Sequence, residues 1–279
     1  MLRLGFHVSI AGSIDQAVDV AIVMGCNVFQ MFTRNPRGWK YAALSTVEVE
    51  EFKSKTLKQG IDSVFVHMPY LPNLASPKEE VYKLSVASLR EEVKRCSILG
   101  VPFLVTHLGS HLGLGKTQGF KRITSAINSV LAEDTSDVTI LLENTAGTRN
   151  SMGSTFGDIR RVIDGIEKQG GVGVCFDTCH AFASGYDLRN REAVTGVLES
   201  FDDTIGCERI RLVHLNDSKG GLHSEIDRHE HIGLGRIGEE GFKNILHSEL
   251  GRLPLIMETP VDERRTDLEN MEKVRELAR

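Results

Sequence analysis

The feature of this sequence that most constrains its fold is a regular alternation of short apolar runs with segments of helical periodicity. Eight apolar or β-branched runs recur along the 279 residues, at 2–8, 28–32, 64–66, 103–106, 139–142, 172–176, 210–213 and 255–257. The helical segments between them include 47–58, 78–99, 120–132, 155–168, 191–205 and 266–278. Strand and helix therefore alternate through the whole chain.

This alternation predicts an α/β fold with a parallel sheet, because near-continuous apolar strands are typical of sheets covered on both faces. Eight units in 279 residues favour a closed (β/α)8 TIM barrel over a doubly wound open sheet, which is the alternative. No Gly-rich dinucleotide loop follows an early strand, and the glycine-spaced residues 109–115 do not complete the phosphate-loop pattern. No linker interrupts the pattern, so we expect residues 1–279 to form one domain with binding loops at the C-terminal face of its strands.

The sequence shows no sign of export or membrane insertion. No basic start leads into an apolar run, and no stretch approaches the roughly 18 to 20 apolar residues of a membrane span. The cysteines are an odd, scattered set, which argues against a secreted disulfide framework. They are Cys26, Cys96, Cys175, Cys179 and Cys207. We expect a cytoplasmic protein with reduced thiols and no membrane partner.

The net charge of −5 is the one global property that argues against a nucleic-acid partner, since phosphate binding usually shows as a basic excess. Divalent ions bound among acidic side chains can reverse the local potential. The charge of the sequence alone therefore does not exclude a nucleic-acid substrate.

Ligand-type side chains follow six consecutive predicted strands at their C-terminal ends, where barrel enzymes build their active sites. These residues are His67, His107, Glu143, Asp177, His214 and Glu258. A single such residue is more often a hydrogen-bonded structural group, but clustered carboxylates repel one another unless a cation lies among them. Histidine combined with carboxylate suits Zn²⁺, Mn²⁺ or Fe²⁺ better than Ca²⁺ or Mg²⁺. The strand ends therefore predict a metal site.

Two loops add His180, Asp227 and His229 to this set. The spacing of Asp227 and His229 places both side chains on one side of an extended segment, where they can bind one ion together; a solvated polar loop is the alternative. Nine ligand-type residues exceed what one ion can use, because a catalytic zinc usually takes three protein ligands. We therefore predict a cluster of two or three ions, a geometry suited to phosphodiester cleavage.

The remaining histidines and cysteines are given lesser roles. His7, His111 and His231 are predicted near the same face, where they can orient ligands, whereas His223 and His247 are interpreted as ordinary loop and helix residues. The pair Cys175 and Cys179 lacks the two-residue gap of structural zinc sites, so we interpret both as core thiols.

Several motifs of this sequence resemble those of the endonuclease IV family. They are HVSIAG at 7–12, LENTAG at 142–147, GVCFDTCHA at 173–181, HLNDSK at 214–219, and Asp227-Arg228-His229 before a Gly-Leu-Gly turn at 233–235. The matches extend from Phe6 to Glu258, which is nearly the whole chain. The combination is specific, although each motif alone is not.

The resemblance implies a (β/α)8 barrel with three metal ions, usually zinc, that acts on double-stranded DNA containing abasic sites. We expect the chain to act as a monomer. It implies that His67 and His107 hold one ion and that Glu143 bridges to a second. The second site would be completed by Asp177, His214 and Glu258, and the third formed by His180, Asp227 and His229.

The resemblance also implies the reaction, with Glu143 and Glu258 as catalytic residues. A bridging hydroxide would cleave the phosphodiester bond 5′ to the lesion, leaving a 3′-hydroxyl and a 5′-deoxyribose phosphate. Arg37, Tyr70 and Leu71 match the positions that family members insert into the minor groove, a task that suits a tyrosine-leucine pair.

Two other functions fit the sequence. A metal-dependent sugar or sugar-phosphate isomerase can use the same barrel, because one fold serves many reactions. Such an isomerase needs fewer ligands, so metal stoichiometry distinguishes the two. A non-catalytic protein that binds damaged DNA or metal would lose nothing when Glu143 is replaced by alanine.

Overall fold

The computed structural model describes residues 2–279, in which eight parallel strands close into a barrel. The barrel strands are β1 (Leu4–Val8), β2 (Val28–Met31), β3 (Ser63–His67), β4 (Phe103–His107), β5 (Thr139–Glu143), β6 (Val172–Asp177), β7 (Ile210–His214) and β10 (Leu255–Met257). Two short strands lie outside the barrel, β8 (Asp217–Ser218) and β9 (His229–Glu230). Around the barrel the order is β1-β10-β7-β6-β5-β4-β3-β2, while β8 and β9 form a separate antiparallel pair. The predicted closed barrel is confirmed, and the open sheet is excluded.

Helices follow the barrel strands and cover the outside of the sheet. They are α1 (Gln16–Val23), α2 (Thr46–Lys58), α3 (Glu79–Leu99), α4 (Lys116–Glu133), α5 (Phe156–Asp164), α6 (Thr178–Ser184), α7 (Arg191–Thr204), α8 (Gly238–Leu246) and α9 (Asp267–Leu277). Six of them correspond to the predicted segments, with α5 ending before Gly165 and so earlier than expected. Within residues 2–279, no helix combines the length and apolar character needed to cross a membrane.

The barrel interior begins with an apolar layer to which seven of its strands contribute one side chain each. This layer consists of Val28, Phe65, Val105, Leu141, Cys175, Leu212 and Ile256, all fully buried. On β1 the residue paired with Ile256 is Gly5, where a Cβ atom would lie 1.7 Å from the carbonyl oxygen of Val28. Only glycine fits there, because an added carbon would overlap the backbone of β2.

Polar side chains form the next interior layer, because residues two apart on a strand point to the same face. Counting two positions onward from Gly5 and from each residue of the apolar layer gives His7, Gln30, His67, His107, Glu143, Asp177, His214 and Glu258. The apolar layer is thus the floor of a polar chamber at the C-terminal end of the strands. Six of the predicted metal ligands lie in this one layer.

Candidate metal centre

Strand register brings the predicted ligands together in pairs. In the sheet, His107 on β4 is paired with Glu143 on β5, and Asp177 on β6 is paired with His214 on β7. Adjacent parallel strands lie about 4.8 Å apart, so each pair is held at ligand spacing by the backbone itself. The geometry of the site therefore follows from the barrel register.

The carboxylate of Glu143 lies at the centre of four imidazoles. Its Oε2 is 3.1 Å from Nε2 of His67 and 3.0 Å from Nε2 of His107. Its Oε1 is 3.1 Å from Nδ1 of His214 and 3.3 Å from Nδ1 of His180. Both oxygens of this buried carboxylate thus contact imidazoles, which come from four other segments of the chain.

Burial opposes the charge on Glu143, yet the nearby imidazoles of His107 and His214 hold the pKa of this carboxyl well below its usual range. Burial likewise opposes protonation of His180, but Asp177 and Asp227 raise its pKa well above the usual value. Imidazoles and carboxylates thus stabilise one another's charged forms in this layer. A divalent cation suits the same residues, because neutral imidazoles and ionised carboxylates both bind metal. On binding, the cation would replace the imidazole protons.

The nine ligand-type residues fall into three groups within which the ligand atoms lie no more than 4.8 Å apart. The groups are His67, His107 and Glu143; Asp177, His214 and Glu258; and His180, Asp227 and His229. A further group joins Glu143, Asp177 and His180, so the sets adjoin one another. The structure therefore brings all nine predicted residues to one chamber.

The third group depends on local structure at the start of α6. Asp177 caps this helix by accepting a hydrogen bond from the backbone N–H of His180 at 2.7 Å, which directs the imidazole into the chamber. Nε2 of His180 is 3.1 Å from a carboxylate oxygen of Asp227, and this contact holds the pKa of Asp227 at about 2 although burial opposes the shift.

His229 supplies the observation that best indicates an ion. Its Nδ1 lies 3.1 Å from the backbone carbonyl of Glu258, while its buried Nε2 has no hydrogen-bond partner in the described residues. That Nε2 lies 3.8 Å from Asp177 and 3.9 Å from Asp227, which is too long for hydrogen bonds. A buried polar atom left unpaired beside two carboxylates fits a metal ion between them.

Two asparagines hold the carboxylates in place. The amide of Asn144 donates to the backbone carbonyl of Asp177 at 2.9 Å and accepts from its N–H at 2.7 Å. The amide of Asn216 donates to Asp177 Oδ2 at 2.8 Å and accepts from the N–H of Glu258 at 2.8 Å. These bonds fix the ends of neighbouring strands, so the ligand positions are preorganised.

The other histidines take different positions. His7 lies in the chamber, with Nδ1 3.3 Å from Glu258 Oε1. His231 instead contacts Asp262 and Asn270, and His111 accepts hydrogen bonds from N–H groups of its own loop. Only His7 of these three therefore contacts a predicted ligand.

Cys179 lies closer to the chamber than its interpretation as a core thiol implied. Its sulfur is within ligand distance of Asp177 and His229. The thiol is fully buried, and burial raises its pKa to about 12. Burial therefore disfavours the thiolate and makes this thiol a poor nucleophile, which is consistent with packing.

The three predicted DNA-contact residues lie on two joined loops, and two of them, Tyr70 and Leu71, line cavities at the mouth of the chamber. The N–H of Tyr70 donates to the carbonyl of Pro36, which ties the loop after β3 to the loop that carries the exposed Arg37. The Tyr70 ring packs edge-on against Phe32 at 5.2 Å yet remains 68% exposed, and Leu71 is 38% exposed. Large side chains thus project from the mouth of the site.

Two cavities connect this rim with the metal-ligand layer. One, of about 460 Å³, is lined by Tyr70 together with six of the nine ligand-type residues. The other, of about 400 Å³, lies beside Leu71 and extends past His107 and Asp227 to Thr145. His107 and Asp227, at 43% and 45% side-chain exposure, form the accessible side of the centre. A substrate would therefore reach the predicted ligands past Tyr70 and Leu71.

Gln30 is the member of the polar layer that sequence reasoning missed. Glutamine is not a usual ligand of the metals that bind histidine and carboxylate, so its residue type alone does not indicate a place in this layer. Its polarity inside the otherwise apolar run 28–32 was the available sign, since Val28 two positions earlier faces the barrel interior. The side chain is fully buried among His7, His214 and Glu258.

Comparisons with known proteins match nearly the whole chain. A family model described as a xylose isomerase-like TIM barrel matches residues 18–279. A protein from Methanoculleus marisnigri named probable endonuclease 4 is 57% identical over 100% of this chain and 99% of its own length. Another of that name, from Methanosphaerula palustris, is 50% identical over the same shares. The crystal structure of endonuclease IV from Thermus thermophilus matches with a TM-score of 0.87 and 36% identity, covering 99% of this chain and 98% of that one.

Proposed function

This chain belongs to the endonuclease IV family of xylose isomerase-like TIM barrels, and we propose that it is a metal-dependent DNA-repair enzyme that cleaves double-stranded DNA 5′ to abasic sites. The reaction is hydrolysis of the phosphodiester bond. Its products are a 3′-hydroxyl and a 5′-deoxyribose phosphate.

The observation that carries this proposal is the division of nine ligand-type residues into three adjoining groups around Glu143. Three groups match three ions. Zinc is the metal that best suits mixed imidazole and carboxylate ligands, and Mn²⁺ or Fe²⁺ can replace it at some sites. His67 and His107 would hold one ion, with Glu143 shared between it and a second. The second would also use Asp177, His214 and Glu258, and the third His180, Asp227 and His229.

Ions bound there would lower the pKa of coordinated water and offset the charge of a phosphodiester. Glu143 and Glu258 are the catalytic carboxylates of this proposal, in which they would orient the water molecule that the ions activate. The barrel floor excludes bulk water from below, because Leu141 and Ile256 close the chamber two residues beneath them. No side-chain nucleophile is required, which agrees with the full burial of the Cys179 thiol.

We assign DNA contact to Arg37, Tyr70 and Leu71. We expect the double variant Tyr70→Ala, Leu71→Ala to bind abasic duplex about tenfold or more weakly, because stacking of one base on an aromatic ring contributes about 1–3 kcal/mol. Zinc content and melting temperature should change little, since Tyr70 is mostly exposed, Leu71 is partly exposed, and neither is a predicted metal ligand. Fluorescence anisotropy with labelled abasic duplex measures the change.

Leu57→Ala is the matched control, because Leu57 is 83% exposed in the last turn of α2, before β3 and far from the mouth. It should bind like the unaltered protein. Equal affinity of the double variant and this control would contradict the assignment of Tyr70 and Leu71.

The products test the proposed function. A duplex with one synthetic abasic site should be cut once, on its 5′ side, while a matched intact duplex stays whole. The new 3′ end should be extended by a DNA polymerase, because hydrolysis leaves it as a free hydroxyl. A cut on the 3′ side, or an end that polymerase cannot extend, would refute the proposed bond specificity.

A further inference from the structure

Gln30 stands out among the eight side chains of the polar layer because it is the one residue there that neither titrates nor commonly binds metal. It is fully buried on β2, between β1 and β3. A buried amide must satisfy both its donor and its acceptor atoms or lose stability. Its bonding partners therefore constrain the residues around it.

The nitrogen of the Gln30 amide makes two contacts. Nε2 lies 2.8 Å from Glu258 Oε1 and 2.9 Å from His7 Nδ1. A carboxylate only accepts hydrogen bonds, so the amide must present its NH2 group to Glu258. The opposite orientation would set the Gln30 oxygen against a carboxylate oxygen.

This orientation directs the Gln30 oxygen to His214. Oε1 lies 2.9 Å from His214 Nε2, and an amide oxygen only accepts, so this Nε2 must carry a proton. A neutral imidazole protonated at Nε2 has its lone pair on Nδ1. That Nδ1 faces the ligand cluster, 3.1 Å from Glu143 and 3.5 Å from Glu258 Oε2.

We propose that Gln30 is a positioning residue of the metal centre: it fixes His214 as the Nε2-protonated tautomer that presents Nδ1 to the ion, and it holds Glu258 Oε1 so that Oε2 faces the same ion. One amide thereby orients His214 and Glu258, two of the three residues in the group that they form with Asp177. This inference rests on the proposed metal centre but not on the choice of DNA as substrate.

The alternative role for Gln30 is to pack the C-terminal end of β2 without orienting any metal ligand. A residue at the other end of the same strand provides a matched control. Asn27, one residue before β2 at the opposite end of the barrel, binds the N–H of Leu4 at 2.7 Å and the carbonyl of Leu2 at 2.8 Å. Asn27→Leu therefore removes a comparable amide without touching the chamber. A general loss of stability would appear in both variants, whereas loss of ligand orientation would appear only in Gln30→Leu.

The test measures zinc retention under graded chelator, together with histidine ¹⁵N spectra of the zinc-loaded protein, all without DNA. Gln30→Leu should weaken one class of zinc about 10- to 100-fold, the range for loss of a group that orients a ligand. Asn27→Leu should keep its zinc. Gln30→Glu retains an acceptor for His214, so the Nε2–H signal of His214 should persist in it.

The spectrum of the unaltered protein needs no variant and should show His214 protonated at Nε2 and ligated through Nδ1. The reverse tautomer, or zinc retention in Gln30→Leu within twofold of the unaltered protein, would overturn the role of Gln30. A failure of the unaltered protein to bind zinc would overturn this inference and the proposed metal centre together. A zinc-loaded protein that shows the predicted tautomer but cuts no DNA would support the role of Gln30 while refuting the proposed substrate.

Discussion

Replacing Glu143 by glutamine should lower the rate of incision at an abasic site by about 10³-fold or more, within the range for losing a group that acts directly on the reacting atoms. The substitution keeps the shape of the side chain but removes the charge that four imidazoles share. It also puts an NH2 group in place of one of the two carboxylate oxygens, each of which lies 3.0–3.3 Å from two imidazoles. Single-turnover incision, with zinc content measured on the same sample, tests this expectation.

Glu230→Gln is the matched control for that variant. Glu230 is a buried carboxylate on β9, near the same face, but it pairs with Arg264 and contacts none of the nine ligand-type residues through its side chain. Its replacement should leave the incision rate within a few-fold of normal. A Glu143→Gln protein with full zinc and more than a tenth of the normal rate would contradict the central role of Glu143.

Replacing Glu92 by alanine should lower the free energy of unfolding by about 3–5 kcal/mol, because breaking a buried ion pair leaves an uncompensated charge. Glu92 lies on α3 with no exposed surface and accepts from Arg34 at 2.9 Å and from Thr33 at 2.5 Å. Arg95 joins the same network through the hydroxyl and carbonyl of Thr33. The network anchors the loop that carries Arg37, so DNA affinity should fall as well.

Denaturant unfolding measures the loss, and Glu133→Ala provides the comparison. Glu133 also pairs with an arginine, Arg90 at 2.7 Å, but the two side chains are 59% and 44% exposed. Removing this surface pair should cost less than about 1 kcal/mol. Equal stability losses in the two variants would show that burial does not decide the contribution of Glu92.

The sequence predicted the barrel and the clustering of the nine ligand-type residues for one physical reason. Parallel strands end at the same rim, so residues that end consecutive strands must meet even without knowledge of tertiary contacts. The loop residues Asp227 and His229 could be added because their spacing places both side chains on one side of an extended segment. The structure brings these nine residues together, and their roles as metal ligands are what we propose.

Three short helices and the positions of two side chains could not be predicted from the sequence. Helices α1, α6 and α8 were not predicted; their 8, 7 and 9 residues leave few turns in which a helical period can show, although α5, also 9 residues long, was found within 155–168. Gln30 could be recognised only after the interior face of β2 was known. The proximity of Cys179 to the chamber likewise depends on the path of the loop that returns His229 to β6.

Removal and restoration of metal is the decisive test of metal-dependent incision at an abasic site. Protein stripped by prolonged chelation should lose 5′ incision, and zinc should restore it in proportion to occupancy up to three ions per chain. Incision by the metal-free protein at the rate of the loaded one would contradict the account. A protein carrying its full metal that leaves the abasic duplex intact would contradict it equally, and would instead favour a sugar isomerase built on the same barrel.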